Sequence, residues 1–319
     1  MKNDYDKDVT RPHFLAIAVV AALPVFAAVE VKQGTDKVEV TIDGLPFTTL
    51  HYGESTKKPF LAPLRAPSGV VVTRRWPMED VAGETRDHPH HQGLWFNHGD
   101  VNGVNFWEHA GRNAPFGSIV TDKITTAKGG GKSGEIAFEA RWVNHEGKAL
   151  LRENRRMTFS GDANSRIIDV DITLTALEQP VKFGDTKEGS FGIRISDQLK
   201  EARGTGTMTN AAGGRKMKEV WGKPSPWVDY SGTIDGQPVG IAIFDHSKNP
   251  KHPTTWHSRD YGLFAANPFG DRDFYNDKTK DGSVTIDAGK SLRFRYRVVI
   301  HPGDADSAKV ADLYKNWKQ

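Results

Sequence analysis

Five histidines crowd one short stretch, Arg86 to His109: His88, His90, His91, His98 and His109. Asp87, Asp100 and Glu108 lie among them, as do Trp95, Phe96, Phe106 and Trp107, with glycines at 93, 99 and 103. Imidazole titrates near neutral pH and also ligates metals, so this composition suits proton transfer or a metal centre better than a plain core. A second polar cluster runs from Phe244 to Asp273. It carries His246, His252, His257, Arg259, Asp260, Asn267, Asp271 and Asp273, with Trp256 and Tyr261 between them. Two separated clusters of matching composition are expected to meet at one end of the fold, because loops held on a rigid scaffold carry function.

Each residue type implies a role. A His-x-His pair on an extended segment turns both rings to one side. That makes His88, His90 and His91 the candidate ligands of a divalent metal, with Asp87 or Glu84 to complete or orient the site. The structural alternative is a rigid loop around Pro89 whose histidines bond backbone groups, and no strict ligand spacing such as HExxH is present. His98 and His257 are the candidate acid/base pair, with Asp100 and Asp260 to hold their tautomers. Arg74, Arg86 and Arg259 offer guanidinium groups to a substrate carboxylate, although single arginines often make structural ion pairs. Gln92, Asn97 and Asn267 join them as substrate-binding candidates. Trp95 and Trp256 would provide a stacking platform for a sugar ring, while Trp107, in Val104-Asn105-Phe106-Trp107, reads as core. His301 stands at the margin of the site.

Other chemistries lack their residues. There is no GxSxG for a serine nucleophile. The segment KGGGKSG at 128–134 has Thr126 where a phosphate-binding loop needs its first glycine, and it reads as a flexible hairpin tip. No dinucleotide loop occurs, so no nucleotide cofactor is expected. With zero cysteines, thiolate metal sites and cysteine nucleophiles drop out. The net charge of +3 comes from mixed signs without a basic stripe, which argues against a nucleic-acid partner.

The elements that must position these residues are strands. Arg11, the apolar run Phe14 to Val25 and the small residues at Ala27 and Ala28 read as a secretory signal over residues 1–28, too short to span a bilayer. The mature chain, 29–319, is then expected to be periplasmic or secreted, off the membrane, and held together by its core alone. Val38, Val40 and Ile42 alternate with polar residues before the hairpin signal Asp43-Gly44. A strand is expected at Val70–Arg74, followed by irregular structure through the histidine-rich stretch. Glu135 to Leu177 reads as a three-strand meander with turns at Asn144–Gly147 and Gly161-Asp162. Further strands are expected at Gly189–Ser196, Gly204–Thr209, Val239–Phe244, Tyr261–Ala265 and Leu292–Ile300. Val310, Leu313, Tyr314 and Trp317 recur at helical spacing after Asp304 or Asp306 as a cap. The expected fold is all-β: one large antiparallel β-sandwich domain closed by a C-terminal helix.

Two long segments, RDHPHHQGLWFNHGDVNGVNFW and FDHSKNPKHPTTWHSRDYGLFAANPFG, resemble the signature of an exported bacterial family catalogued under a methane-oxygenase (PmoA-like) label. SFGIRISDQL and LRFRYRVVIHPG extend the resemblance over the mature chain. A further resemblance is to the galactose-mutarotase-like supersandwich, in which a His-Gly loop before a tryptophan and a second histidine contact sugar. By that resemblance Asn97-His98-Gly99 and His257 take those parts. The function expected is that of an exported carbohydrate-active protein, acting on a sugar or oxidised sugar as a small-molecule or oligosaccharide substrate. Its chemistry would be His-assisted proton transfer, as lyase, epimerase or hydrolase, with a divalent metal to polarise a carbonyl. A non-catalytic carbohydrate-binding module and a copper-dependent oxygenase using the same histidines are the alternatives.

Overall fold

The structure, a computed structural model, describes residue 1 and residues 28–112 and 115–317. The expected secretory signal lies outside the described residues except at its two ends, Met1 and Ala28. No described helix is long and apolar enough to cross a membrane.

Two eight-stranded antiparallel sheets make the body of the protein. The first runs β1 (Val29–Gln33), β2 (Lys37–Ile42), β3 (Leu45–His51), β4 (Phe60–Leu61) and β5 (Leu94–His98), then β11 (Gly189–Arg194), β16 (Leu263–Ala266) and β15 (Trp256–Ser258). The second begins with β12 (Thr207–Asn210), β13 (Trp227–Ile234), β14 (Gln237–Asp245) and β18 (Ser291–Pro302). It ends with β9 (Arg166–Ala176), β8 (Ala149–Gly161), β7 (Ser133–Val143) and β6 (Ser118–Lys128). A short pair, β10 (Val181–Phe183) with β17 (Val284–Ile286), stands apart. Strands with one dry face alternate as period two demands. In β9, Ile168, Val170, Ile172 and Leu174 are buried and pack with Phe294, Tyr296, Val298 and Ile300 of β18 in the common core. The expected turn Asp43-Gly44 joins β2 to β3 with both residues at positive φ, 55° and 72°, the geometry that suits a twisted hairpin.

Several expectations need correction. The histidine-rich stretch is not all irregular: Leu94–His98 is a strand near the middle of the first sheet, buried at all five positions. A strand covered on both faces loses the apolar–polar alternation that would reveal it. Val70–Arg74 makes only the isolated bridges Arg65–Val71 and Thr73–Ile195. The tip at 128–134 is docked on β1, Gly130 N donating to the Val29 carbonyl at 2.8 Å. Two short helices, α1 (Lys216–Val220) and α2 (Asp271–Phe274), and the strand β13 were not expected. The C-terminal helix α3 (Val310–Asn316) forms, yet neither acid caps it. The cap position is Lys309 at φ 53°, and the Asp304 carboxylate instead accepts from the Ser307 N–H in the turn before. Val310, Tyr314 and Trp317 pack on Trp227, Phe244 and Val299 of the second sheet, whereas Leu313 is 38% exposed.

Candidate functional site

The outer face of the first sheet, turned away from the sandwich core, carries the site. Cross-strand register aligns Trp95 (β5), Gly192 (β11), Ala265 (β16) and His257 (β15) in one row on that face. Side chains directly opposite in an antiparallel pair share a face. The next row is Gly93, Arg194, Leu263 and Arg259, linked through backbone bonds Arg194 N to Gly93 O and Arg259 N to Leu263 O. Two glycines make room here. A Cβ on Gly192 would stand 2.9 Å from the Trp95 indole, so glycine lets that ring lie over the sheet. Gly93, at φ 54°, would press a Cβ to 2.0 Å from the Leu61 carbonyl, so only glycine brings the preceding loop down beside β4.

That loop lays its histidines on the sheet as stacked plates. Tyr261 stacks on His88 (5.0 Å, 1°), His88 on His91 (4.8 Å, 3°) and His91 on Trp95 (5.2 Å, 17°). His88 adopts φ 46°, a left-handed conformation that histidine visits more often than most residues. Contacts then run on from His91 to Trp107 (5.4 Å) and from Trp107 to His257 (6.4 Å). His257 meets Phe274 at 6.3 Å, and Phe274 meets Trp221 at 5.4 Å. The Arg259 guanidinium closes the circuit, 5.9 Å from the Trp221 ring and 5.8 Å from the Tyr261 ring. The contacts form a closed circuit, and Leu263 and Ala265 pack with Trp95, Trp107 and Tyr261.

Buried ions brace the loop. Arg74, fully buried, donates to the Asp87 carboxylate at 2.6 Å and to the carbonyls of Trp76, Thr85, Asp87, His88 and His91. Arg194, also fully buried, donates to the same Asp87 oxygen at 2.6 Å and lies 5.0 Å over the Tyr261 ring. Burial lowers Arg74 to about 10, with Arg194 adding to the effect. Burial alone would raise Asp87, but Arg194, His88 and Arg74 together hold it below its ordinary value. Lys58, buried without exposure, donates to the His90 carbonyl at 2.7 Å and sits 3.1 Å from His109 Nε2, tying both ends of the stretch together. Desolvation lowers Lys58 to about 7.

The hydrogen-bond network fixes the tautomer of His91. Arg194 Nη1 lies 3.4 Å from His91 Nδ1, and a guanidinium only donates, so the His91 proton is on Nε2. That Nε2 is buried and has no partner. His257 likewise leaves a ring nitrogen, Nδ1, buried and without a partner. Burial keeps both rings neutral. His257 is lowered to about 3, with Lys187 and Arg259 contributing, and His91 falls well below its ordinary value, with His90 and Arg194 contributing. Burial also lowers His90 to about 3 and His109 to about 2, each aided by Lys58. Two buried, unpartnered imidazole nitrogens, His91 Nε2 and His257 Nδ1, thus lie on rings that flank Trp107.

The remaining candidates are placed as follows. His98 points the opposite way from Trp95 and Asn97, into the interior, where Nε2 meets the Gly184 carbonyl at 2.8 Å and the ring packs on Phe183 and Phe269. Burial lowers it to about 4. Asp100 serves a turn, accepting from Gly103 N. Asp260 lies in the β15–β16 turn, its carbonyl accepting from Ala202 N, and it does not hold His257. Trp256 faces the sandwich core and donates to the Ser225 carbonyl. Asn97 is saturated by Trp95 Nε1 and the Phe106 carbonyl, and Asn267 by the carbonyls of Thr186 and Lys187 and by Phe269 N. Both amides are braces. Arg86 pairs with Asp80 at the surface. Gln92 leaves Oε1 buried and unpartnered.

His88, His90 and His91 come together, but not as a chelate. His88 and His91 lie in parallel planes and His90 meets His91 edge to face at 79°. Imidazole lone pairs lie in the ring plane, so stacked rings do not converge on one ion. Among the described residues no group of three or more His, Asp or Glu is arranged to hold a metal. His246, His252 and His301 are elsewhere, His252 on Asp245 and His301 on Asp229, each at 2.7 Å. A groove of about 600 Å³ runs nearby past Glu84 and Asp197. Both carboxylates are taken, Glu84 by the Arg75 and Trp76 N–H groups and Asp197 by Thr85.

Lys58, Arg194, Lys187 and Tyr261 were not among the site candidates. Arg194 carried a signal: it interrupts the apolar run Phe191-Gly192-Ile193-Arg194-Ile195 of a buried strand.

With this geometry in hand, a family model described as "Family of unknown function (DUF6807)" matches residues 37–315. The chain belongs to the DUF6807 family. No curated protein matches this DUF6807 member. Among solved structures it is similar to the Slr1438 protein of Synechocystis sp. (11% identity, TM-score 0.34, 91% of this chain and 100% of that one). It is also similar to the alpha-galactosidase of Lactobacillus brevis (8%, TM-score 0.41, 90% and 41%). A third is a galactose mutarotase-like protein of Clostridium acetobutylicum (8%, TM-score 0.36, 85% and 94%). At these identities and scores the functional reading rests on the site alone.

Proposed function

We propose that this DUF6807 chain is an exported carbohydrate-active enzyme that works by neutral-imidazole proton transfer on the outer face of the first sheet. His257 Nδ1 is the base: it takes a proton from a sugar hydroxyl or from carbon beside a carbonyl. His91 Nε2–H is the donor to the oxygen that gains negative charge, the partner role the sequence had suggested for His98. The observation that carries the reading is the pair of buried, unpartnered nitrogens either side of Trp107, of which the proposal takes His91 Nε2 as donor and His257 Nδ1 as acceptor. Buried polar atoms are otherwise almost always bonded, and an exception in a ring of side chains points to a ligand. The circuit of Trp, Tyr, Phe and His faces supports a sugar, whose C–H face packs on aromatic rings while its hydroxyls take the polar atoms. No step is routed through a metal, since the lone pairs of His88, His90 and His91 do not converge.

The test is exchange spectroscopy. Aldoses and sugar acids are mixed with the protein, and anomer interconversion and deuterium incorporation are followed by NMR. Wild type accelerates one of these. His257→Asn and His91→Phe lower the rate by about 100-fold or more, the scale of general acid–base catalysis, while His98→Asn keeps it. An unchanged rate in His257→Asn refutes the assignment of the base. Sugar binding without any turnover makes the protein a binding module instead.

A further inference from the structure

Four arginines stand in or beside the site, and three are spoken for. Arg74 is saturated by Asp87 and backbone carbonyls, Arg194 is paired with Asp87, and Arg86 is paired with Asp80. Arg259 differs. Its side chain makes no hydrogen bond or ion pair among the described residues, and its Nε is buried with no partner. Its neighbours are ring faces: Trp221, whose own Nε1–H is buried and unpartnered, and Tyr261. A guanidinium set against two rings keeps its N–H edges for a planar bidentate acceptor, because the rings do not compete for them. His257, whose Nδ1 is unpartnered, is 2% exposed. Lys187 adds a second cation, although Glu188 pairs with it at 2.7 Å. The edge of the site formed by Arg259, Trp221 and His257 therefore offers buried donors, with Glu188 and Asp273 facing Lys187 and Arg259 left without an ion pair among the described residues.

We infer that Arg259 is the anchor for a carboxylate, and that the ligand of this site is an acidic sugar whose carboxyl group lies between Trp221 and Tyr261. The inference rests on the reading of the site as a sugar site. It has a chemical consequence: the bound carboxylate offsets the charge of Arg259 and Lys187, the two cations that act against protonation of His257. An acidic sugar thus restores basicity to the imidazole that would deprotonate it, and a neutral sugar does not.

Calorimetric titration at fixed salt tests this with glucuronate, galacturonate, their methyl esters, the parent hexoses and a hexose sulfate. A uronate is expected to bind at least about 10-fold more tightly than its methyl ester, the size of one charge-assisted hydrogen bond. Arg259→Gln brings the two to equal affinity without changing the melting temperature by more than a degree or so. Equal affinity for acid and ester in the wild type overturns the inference and leaves the sugar site standing. A preference that survives Arg259→Gln overturns Arg259 as the anchor. Binding of the hexose sulfate as tight as that of the uronate overturns the carboxylate assignment in favour of a general anion site. Failure of every sugar to bind refutes the reading of the site itself.

Discussion

Asp87→Asn is the perturbation on which the architecture of the site depends most directly. One oxygen of this carboxylate accepts from both Arg74 and Arg194 at 2.6 Å, and both arginine side chains are 0% exposed while Asp87 is 40% exposed. Removing one partner of a buried pair costs about 3–5 kcal/mol when the remaining charge is left uncompensated. Two features reduce that here. The open edge of the carboxylate is screened by water, and Arg74 keeps five carbonyl acceptors. Arg194 bears most of the loss, keeping Thr85 Oγ1 and His91 Nδ1 at 3.4 Å. The expected cost is about 2–4 kcal/mol, or a fall in Tm of roughly 5–10 °C for a chain of this size. Circular dichroism melts measure it, with near-ultraviolet signals reporting the Trp95 and Trp107 packing. Asp80→Asn, which removes an exposed pair with Arg86, is the control and should change stability by under about 0.5 kcal/mol. The pH sign follows from the lowered Asp87 value: its contribution is present above the ordinary carboxylate range and lost as pH falls through the folded value. The deficit of the variant is therefore full at pH 7 and shrinks below about pH 4. A loss no larger than that of Asp80→Asn, or one that persists undiminished in acid, refutes the bridging role.

Two other buried ions set opposite pH dependences. Burial lowers Lys58 to about 7, so between there and its ordinary value the unfolded chain holds a proton the folded chain does not, and stability rises with pH across that window. Urea midpoints measured at pH 7.5 and 9.5 should show that Lys58→Met removes this component; equal increments in variant and wild type would contradict it. For His301, burial acts to lower its value, but the Asp229 carboxylate at 2.7 Å outweighs this and raises it. Its stabilisation is complete below the ordinary imidazole value and is lost as pH rises through the raised one. His301→Gln should flatten the wild-type decline between about pH 6.5 and pH 8.5, and an unaltered decline by urea titration excludes the pair as its source.

What was legible in the sequence depended on how many faces of a strand are dry. β2, β9 and β18 were readable because one face meets the core and the other is at least partly wet, so Val38, Val40 and Ile42, or Ile168 through Leu174, stand out at every second position. The meander from β7 to β9 was visible for the same reason. β13 has five buried residues at its start, and its alternation is erased. The composition of HPHH and of HSRDY marked the two halves of the site, and they do meet, through His88 on Tyr261 and Trp107 near His257. Lys58 was invisible because nothing in Thr56-Lys57-Lys58-Pro59 separates a buried lysine from a solvated one. Its burial is decided by His90 and His109, more than thirty positions downstream.

Strand β5 shows why the sequence alone does not tell which way His98 faces. Leu94-Trp95-Phe96-Asn97-His98 is buried throughout, so hydrophobicity alone assigns no residue to either face. Register does. Trp95 opposite Gly192 and Ala265 puts odd-numbered residues on the outer face, and His98, opposite Gly189, falls inside with Phe96. A shift of one residue would exchange the two sets. Two features act against such a slip. Gly192 is the position that leaves room for the Trp95 indole, and a Cβ at Gly189 would lie 2.6 Å from His98 Nδ1. Trp95 and His98 are thus each matched to a glycine of β11, one on either face of the sheet. The glycines in Gly189-Ser190-Phe191-Gly192 therefore carry the information that the histidine-rich stretch lacks: they determine which of its residues look outward to a ligand.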